Sequence, residues 1–250
     1  GEAPAIEEAF GRCVAAGATT VQAVPVLLSM AGHARQDMPH QVAEARRRHP
    51  GMAIELCPGL GIHPLLLEIV EERIAAAAAT LADCRLGETA ILLAARGTSD
   101  PEANADMFKV ARLLWERNRF PWVEPCFVSL AHPFVPEGIQ RCVALGARTV
   151  LVLPYFINTG KLVHRISTQV EAGSRELPEH RIVVGRHLGV HPNLVRLIIE
   201  RAGAGHCNGR SSTNGHSSGD DDAHLHWGDA GVALTSHPDP AAMPTVVTSG

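Results

Sequence analysis

One histidine in this sequence follows a strand-like segment in a position suited to chemistry. His33 lies in the loop Leu27–Pro39, after an apolar segment that predicts a strand at 19–25 and before a predicted helix. In open parallel sheets, ligands bind beyond the carboxyl ends of the strands. An imidazole at that place is a base near neutral pH or a ligand for a divalent cation. The alternative is a loop histidine that is solvated or caps the helix.

Two other histidines, His63 and His191, share the pattern Gly-x-His-Pro directly before predicted helices. A position just outside a helix, followed by proline in the first turn, is typical of a helix start. We therefore expect these two residues to fix a turn and a helix start rather than to take part in chemistry.

The segments that position these histidines occur twice. Residues 11–21 return at 140–150, and Leu-Gly-Ile-His-Pro at 60–64 returns as Leu-Gly-Val-His-Pro at 188–192. Cys13 and Cys142 are 129 residues apart, and His63 and His191 are 128 residues apart. Such a period is far longer than that of a solenoid repeat, so it indicates two domain-sized halves with a cleft between them.

Alternating strand-like and helical segments predict an α/β fold with two duplicated halves, each a parallel four-stranded sheet flanked by helices. The first half is expected to be incomplete, because aligning Ala3-Pro4 with His132-Pro133 places Gly1 inside the repeated unit, as if the chain were truncated at its N-terminus. The predicted elements of the first half are a helix at 5–16, a strand at 19–25, a helix at 34–48, a strand at 52–57 and a helix at 64–82. Those of the second half are strands at 90–95, 123–130, 149–154 and 181–185, a helix that begins at a capping box Ser99–Glu102, and helices at 135–145, 163–176 and 192–202.

Three regions follow from this pattern: an N-terminal half at 1–83, a complete C-terminal half at 84–205 and a tail at 206–250. The tail is rich in Gly, Ser, Asp and His and cannot bury enough apolar surface to offset its ordering entropy, so it is predicted to be disordered. Its histidines and aspartates suit borderline divalent metals. Their spacing matches no zinc site, which favours loose or incidental metal binding.

Composition narrows the class of protein. With 46% hydrophobic and 19% charged residues and a net charge of −4, the sequence is typical of a globular protein and gives no reason to expect a nucleic-acid partner. No apolar run approaches the length of a membrane span, so no membrane partner is expected. The six scattered cysteines are interpreted as buried thiols in a reducing compartment, and the expected location is the cytoplasm.

Three segments resemble a known family: Leu92–Asn104, Met30–Pro39 and Leu188–Pro192. They are similar to the opening strand and loop, the second histidine loop and the last turn of the class II tetrapyrrole chelatases. Within that family, the resemblance is to the sirohydrochlorin cobaltochelatases of the long, two-half form. It covers residues 1–203.

The resemblance implies a pair of active-site histidines, of which His33 matches the second. We expect His33 to deliver the metal and to accept pyrrole protons, and Glu2 to be a further metal ligand. The second half has Arg96 and Lys161 at the two histidine positions, so it is expected to be catalytically degenerate. Because sirohydrochlorin carries eight carboxylates, basic residues that follow strand ends are candidate substrate ligands. These are Arg35, Arg96, Lys161 and Arg165.

The implied activity is insertion of Co²⁺ into sirohydrochlorin with release of two protons, in cobalamin biosynthesis and without an organic cofactor. Insertion of Fe²⁺, leading to siroheme, is the nearest alternative, because both ions accept imidazole. A non-catalytic protein that binds a tetrapyrrole or a metal belongs to a different class and predicts binding without turnover. A two-half periplasmic-type binding module is a third interpretation. A homodimer is also expected, since an incomplete sheet exposes a strand edge.

Overall fold

The computed structural model describes residues 6–29, 33–81, 85–118, 120–204 and 246–247. These ranges contain seven α-helices and seven strands. The first half comprises α1 (Ile6–Ala15), β1 (Thr20–Ala23), α2 (His33–Arg48), β2 (Ala53–Leu56) and α3 (Pro64–Ala79). The second half comprises β3 (Thr89–Ala95), α4 (Pro101–Asn118), β4 (Trp122–Phe127), α5 (Val135–Ala144), β5 (Thr149–Pro154), α6 (Lys161–Arg175), β6 (Arg181–Val184) and α7 (Pro192–Ala204). A last short strand, β7 (Val246–Val247), follows much later in the sequence.

Both sheets are parallel, as predicted. The second half has the expected four strands in the order β4-β3-β5-β6. In the first half the described strands form a sheet of three, in the order β2-β1-β7. The sequence did not predict β7, which lies within the segment interpreted as a disordered tail. The remainder of that tail and the predicted boundary at residue 83 lie outside the described residues.

The sequence repeat is also a structural repeat. α1 and α5 begin 129 residues apart, and so do β1 and β5. α2 and α6, β2 and β6, and α3 and α7 each begin 128 residues apart. The one-residue change falls between the end of β1 and the start of α2, in the loop that leads to His33.

Side chains on the two faces of β3 enter different cores, as expected for a central strand covered on both sides. Ile91 and Leu93 join a central core that includes residues of α3, α4 and α7, whereas Leu92 joins an outer core with α5 and α6. The first half has its own outer core between α1, α2 and its strands. Helix α7 reaches the first sheet, because Ala202 packs with Val24 and Cys57. The last helix of each half therefore contributes to the core of the other half.

The start of α4 differs from the predicted capping box. The backbone N–H of Glu102 donates to Oδ1 of Asp100 at 3.1 Å, and the helix begins at Pro101. Asp100, not Ser99, thus holds the first turn, because its carboxylate is one residue closer to the free N–H groups of the helix.

Candidate functional site

Helices α2 and α6 begin at equivalent residues, His33 and Lys161, beyond the carboxyl ends of β1 and β5. The backbone of His33 therefore lies at the start of the helix that follows β1. Neither His33 nor Lys161 is followed by an acidic residue in the first helical turn. The partial positive charge of the helix start is thus left uncompensated in both halves and favours an anionic ligand. The side chains of His33 and Arg35, and all of Glu2, lie outside the described residues.

The loop after β3, which carries Arg96, is held rigidly. Asn104 accepts from the backbone N–H of Thr98 at 3.1 Å and donates to its carbonyl at 2.8 Å. Ser129 donates to the Arg96 carbonyl through its backbone N–H at 3.1 Å and through its hydroxyl at 3.2 Å. Gly97 has φ of +81°, and a Cβ there would lie 1.9 Å from the Ser129 carbonyl oxygen. Only glycine fits, so the position of Arg96 is fixed by its neighbours.

Arg96, Lys161 and Arg165 are exposed, and none has a hydrogen bond or ion pair with its side chain in the part of the chain described. Lys161 and Arg165 are four residues apart on α6, where like charges repel. β3 and β5 are neighbours in the sheet, so the loop with Arg96 and the start of α6 follow adjacent strands. The structure thus places these three predicted residues at the carboxyl ends of adjacent strands, and their positive charges are unpaired among the described residues.

The loops from the two halves meet on one core. Val26 and Leu28, which precede His33, pack against the central core. Ala131 and Ile157, from the loops after β4 and β5, pack against the same core. The loops beyond the carboxyl ends of both sheets therefore border a common region of the molecule.

His63 and His191 start α3 and α7, as predicted. Nδ1 of His63 accepts from the backbone N–H of Leu65 at 3.3 Å, and Nδ1 of His191 accepts from that of Asn193 at 3.2 Å. Each ring also reaches the other half. Nε2 of His63 lies 3.2 Å from Glu200, and Nε2 of His191 lies 2.9 Å from Glu72.

Two arginines form a second reciprocal set of contacts. Arg73 donates to the carbonyl of Leu188 at 2.7 Å and to that of His187 at 3.1 Å. Arg201 donates to the carbonyl of Leu60 at 3.0 Å. These two residues were not predicted from the sequence. The signal was present, since a Glu-Arg pair begins nine residues after His63 and again nine residues after His191.

A third contact between the halves lowers the pKa of a carboxylate. The carboxylate of Glu71 on α3 accepts from Nε of Arg117 at 2.8 Å and from Asn118 at 2.7 Å, both at the end of α4. Burial acts to raise the pKa of Glu71, but the hydrogen bonds from Arg117 and Asn118 outweigh it and hold the pKa below its usual value. Nearby, burial and the charges of Arg186 and Arg73 lower the pKa of His187, which favours a neutral ring.

The described cysteines are structural. Cys13, Cys57, Cys126 and Cys142 are buried free thiols. Burial raises the pKa of Cys142 to about 12 and raises that of Cys126 further. Protonated buried thiols are poor nucleophiles and poor metal ligands. The residues described contain no group of three His, Cys, Asp or Glu placed to hold a metal ion, and no helix among them is long and apolar enough to cross a membrane.

Comparison with known proteins matches these features to one family. The CbiX family matches residues 2–77 and 90–204. A sirohydrochlorin cobaltochelatase of Priestia megaterium is 34% identical over 82% of this chain, which spans 66% of that protein's length, just under two thirds. A sirohydrochlorin ferrochelatase of the same organism is 30% identical over 78% of this chain and 71% of its own length. The solved structure of SirB from Bacillus subtilis with Fe³⁺ has a TM-score of 0.69 and 26% identity, and the match covers 83% of this chain and 79% of that one. On this extent of similarity, the chain belongs to the CbiX family.

Proposed function

We propose that this protein is a sirohydrochlorin chelatase that inserts a divalent metal ion, with Co²⁺ as the first choice and Fe²⁺ as the second. The observation that carries the proposal is the position of His33 at the start of α2, where the duplicated half has Lys161. One half offers an imidazole at the carboxyl edge of its sheet, and the other offers three unpaired cations. This is the combination that a metal-inserting enzyme with a polycarboxylate substrate requires.

Metal insertion exchanges two pyrrole protons for one divalent ion, so the site needs a metal ligand and a proton acceptor. A neutral imidazole serves in either role. We assign metal delivery and proton abstraction to His33, with Glu2 as an additional metal ligand.

The substrate's carboxylates are assigned to the basic residues that follow strand ends. Arg96, Lys161 and Arg165 have no competing partner among the described residues, so binding does not require an existing ion pair to break. Guanidinium groups bind carboxylates in a two-pronged geometry, and the rigid loop around Gly97 fixes where Arg96 begins. Arg35, two residues after His33, is proposed as a fourth ligand.

The choice between Co²⁺ and Fe²⁺ rests on two relatives, one named for each metal. One relative is named a cobaltochelatase and another a ferrochelatase, and the cobaltochelatase is the more similar, at 34% against 30% identity. This supports Co²⁺ as the preferred substrate ion. The proposal includes no organic cofactor, because the reaction transfers no electrons or carbon groups.

The test is the absorbance spectrum of sirohydrochlorin followed over time with the protein and either Co²⁺ or Fe²⁺, beside a protein-free blank. We expect accelerated metallation that falls by about 100-fold or more in His33→Ala, the usual scale for loss of a general base. His40→Ala is the matched control, because His40 is an exposed histidine on the same helix, and it should retain the rate. Equal rates in the protein and His33→Ala would refute the role of His33.

The same experiment separates the non-catalytic alternative. A chain that only binds would change the spectrum of sirohydrochlorin without producing the metallated product. That result would replace the chelatase proposal with a tetrapyrrole-binding function. A faster reaction with Fe²⁺ than with Co²⁺ would reverse the proposed metal preference while leaving the chelatase proposal intact.

A further inference from the structure

Leu130, in the loop between β4 and α5, combines two unfavourable features. Its backbone has a φ of 66°, and within the described ranges it is the one residue other than glycine with a positive φ. Its side chain is 67% exposed to solvent. The left-handed conformation brings Cβ of an L-residue too close to the following carbonyl oxygen, whereas glycine adopts it freely and asparagine adopts it readily. A loop that needed only this backbone shape would be better served by either of those residues.

The loop itself requires the strained conformation. The Ser129 carbonyl accepts from the N–H of Ala131 at 2.8 Å, which closes a tight turn around Leu130. The same Ser129 binds the Arg96 carbonyl, and its own carbonyl lies against Gly97. The backbone at Leu130 is thus locked to the loop that carries Arg96. Because most of its apolar side chain is exposed, packing within the described residues offsets little of the energetic cost of this backbone conformation.

The order of the strands shows what surrounds this side chain. In the sheet β4-β3-β5-β6, Leu130 follows β4, Arg96 follows the adjacent β3, and Lys161 follows β5 after a loop. An exposed apolar residue therefore lies at the end of a row of unpaired cations, along the carboxyl ends of the strands. A ligand that fits this row has an apolar surface on one part and carboxylates on another.

A tetrapyrrole has that character, since its ring faces are apolar and its carboxylates lie at the periphery. We propose that Leu130 packs against a face of the bound tetrapyrrole while Arg96 binds a peripheral carboxylate. This inference rests on the proposed function and deepens it by assigning the ring face, which the basic residues do not contact. Contact with the ring buries the exposed leucine, and the binding free energy offsets the strain of its backbone.

A single exposed leucine is common on protein surfaces, so the test needs a matched control. Leu145 provides one. It is 49% exposed but has an ordinary helical φ of −75° at the end of α5, before β5 and therefore at the amino edge of the sheet. Replacing Leu130 by Asn keeps a residue that tolerates the left-handed backbone and removes the apolar side chain, and Leu145→Asn makes the same chemical change elsewhere.

The measurement is the Kd for metal-free sirohydrochlorin by spectral titration, together with the midpoint of thermal unfolding, in the unaltered chain and three variants. We expect Leu130→Asn to raise Kd about tenfold, the scale of one lost apolar contact, without lowering the unfolding midpoint. Leu130→Met should retain the affinity, because it keeps an apolar side chain of similar volume. Leu145→Asn should leave Kd unchanged.

An unchanged Kd in Leu130→Asn would overturn the inference, as would a weaker Kd accompanied by a lower unfolding midpoint, which would indicate a structural role. A loss of affinity in Leu130→Met equal to that in Leu130→Asn would also contradict an apolar contact. If the unaltered chain binds no sirohydrochlorin at all, the proposed function fails, and the inference fails with it. These outcomes are distinct, because the titration measures binding without metal insertion.

Discussion

The two halves of this protein share one fold and differ in the residues at the carboxyl edges of their sheets. The first half has His33 at the start of α2, and the second half has Lys161 at the equivalent position, the start of α6. After β3 the second half has Arg96 in a loop braced by Asn104 and Ser129. The two copies thus share the scaffold, while the first has a histidine and the second has cations at these places. Under the proposed function, this difference assigns metal chemistry to the first copy and substrate binding to the second.

The strongest test of this division compares substitutions at the equivalent positions. His33→Ala should lower the rate constant of metal insertion at saturating substrate by about 100-fold, because it removes a ligand and a base. Lys161→Ala combined with Arg165→Ala should instead raise KM for sirohydrochlorin about tenfold and leave kcat within a few-fold, because carboxylate contacts act on substrate binding. Steady-state kinetics of both variants measure the split. A large fall in kcat on removing the two cations would show that the second half shares the chemistry.

A second comparison concerns the arginines that join the halves. Arg73→Met should lower the free energy of unfolding by about 2 kcal/mol, because it leaves two carbonyl acceptors in the other half without their charged donor. Arg201→Met should cost less, about 1 kcal/mol, since Arg201 makes one such contact and its buried Nε has no partner in the described structure. Urea unfolding of both variants gives the two values. Equal losses would mean that the two contacts are energetically equivalent despite their different geometry.

The two sheets can also be compared by the strand that pairs with β1 in the first and with the equivalent β5 in the second. β7 pairs with β1 in the register Gln22 with Val246 and Ala23 with Val247. In the second sheet, the equivalent residues of β5 pair with Ile91 and Leu92 of β3. β7 therefore occupies in the first sheet the place that β3 has in the second.

Substitution of Val246 tests whether this pairing protects β1. Val246→Pro removes a backbone N–H and disfavours strand pairing. Hydrogen exchange measured by mass spectrometry should become about tenfold faster at residues 20–23, equivalent to about 1.4 kcal/mol of lost protection, while residues 150–153 of β5 stay unchanged. Val232→Pro, in the same tail, is the control. Unaltered exchange at β1 in Val246→Pro would mean that β7 contributes nothing to the first sheet.

The smallest expected effect depends on pH. The pKa of Glu71 is held below its usual value in the folded protein. Its contacts with Arg117 and Asn118 therefore stabilise the fold fully above the unfolded-state pKa of about 4.3. This contribution is lost as the pH falls through the lower folded-state pKa. Arg117→Met should therefore cost up to about 1 kcal/mol at pH 7 and progressively less toward pH 3. Thermal unfolding of both proteins across that range tests the sign. A cost that grows on acidification would contradict it.

Periodicity and repetition were enough to predict most of the fold. The parallel sheets and the helix-starting role of His63 and His191 follow from apolar runs and repeated motifs, and the structure confirms them. The contacts of Arg73 and Arg201 could not be predicted, because a repeated Glu-Arg pair on a helix does not reveal which backbone carbonyls the other half presents. β7 was missed for a similar reason, since a short β-branched segment in a polar tail has no local signal for its distant partner. Leu130 was missed because its importance lies in a backbone dihedral angle, which residue type does not encode.

The contacts made by the two helix-starting histidines occur twice with their partners exchanged. His63 meets Glu200 and His191 meets Glu72, and each pair repeats at the offset of 128 residues. This part of the interface is isologous, because each half carries both the histidine and the glutamate. Two separate chains, each with a single half, could therefore close it around a two-fold axis. Covalent fusion removes the requirement that both copies be identical, and a protein built in this way can evolve an asymmetric site that no symmetric dimer could contain.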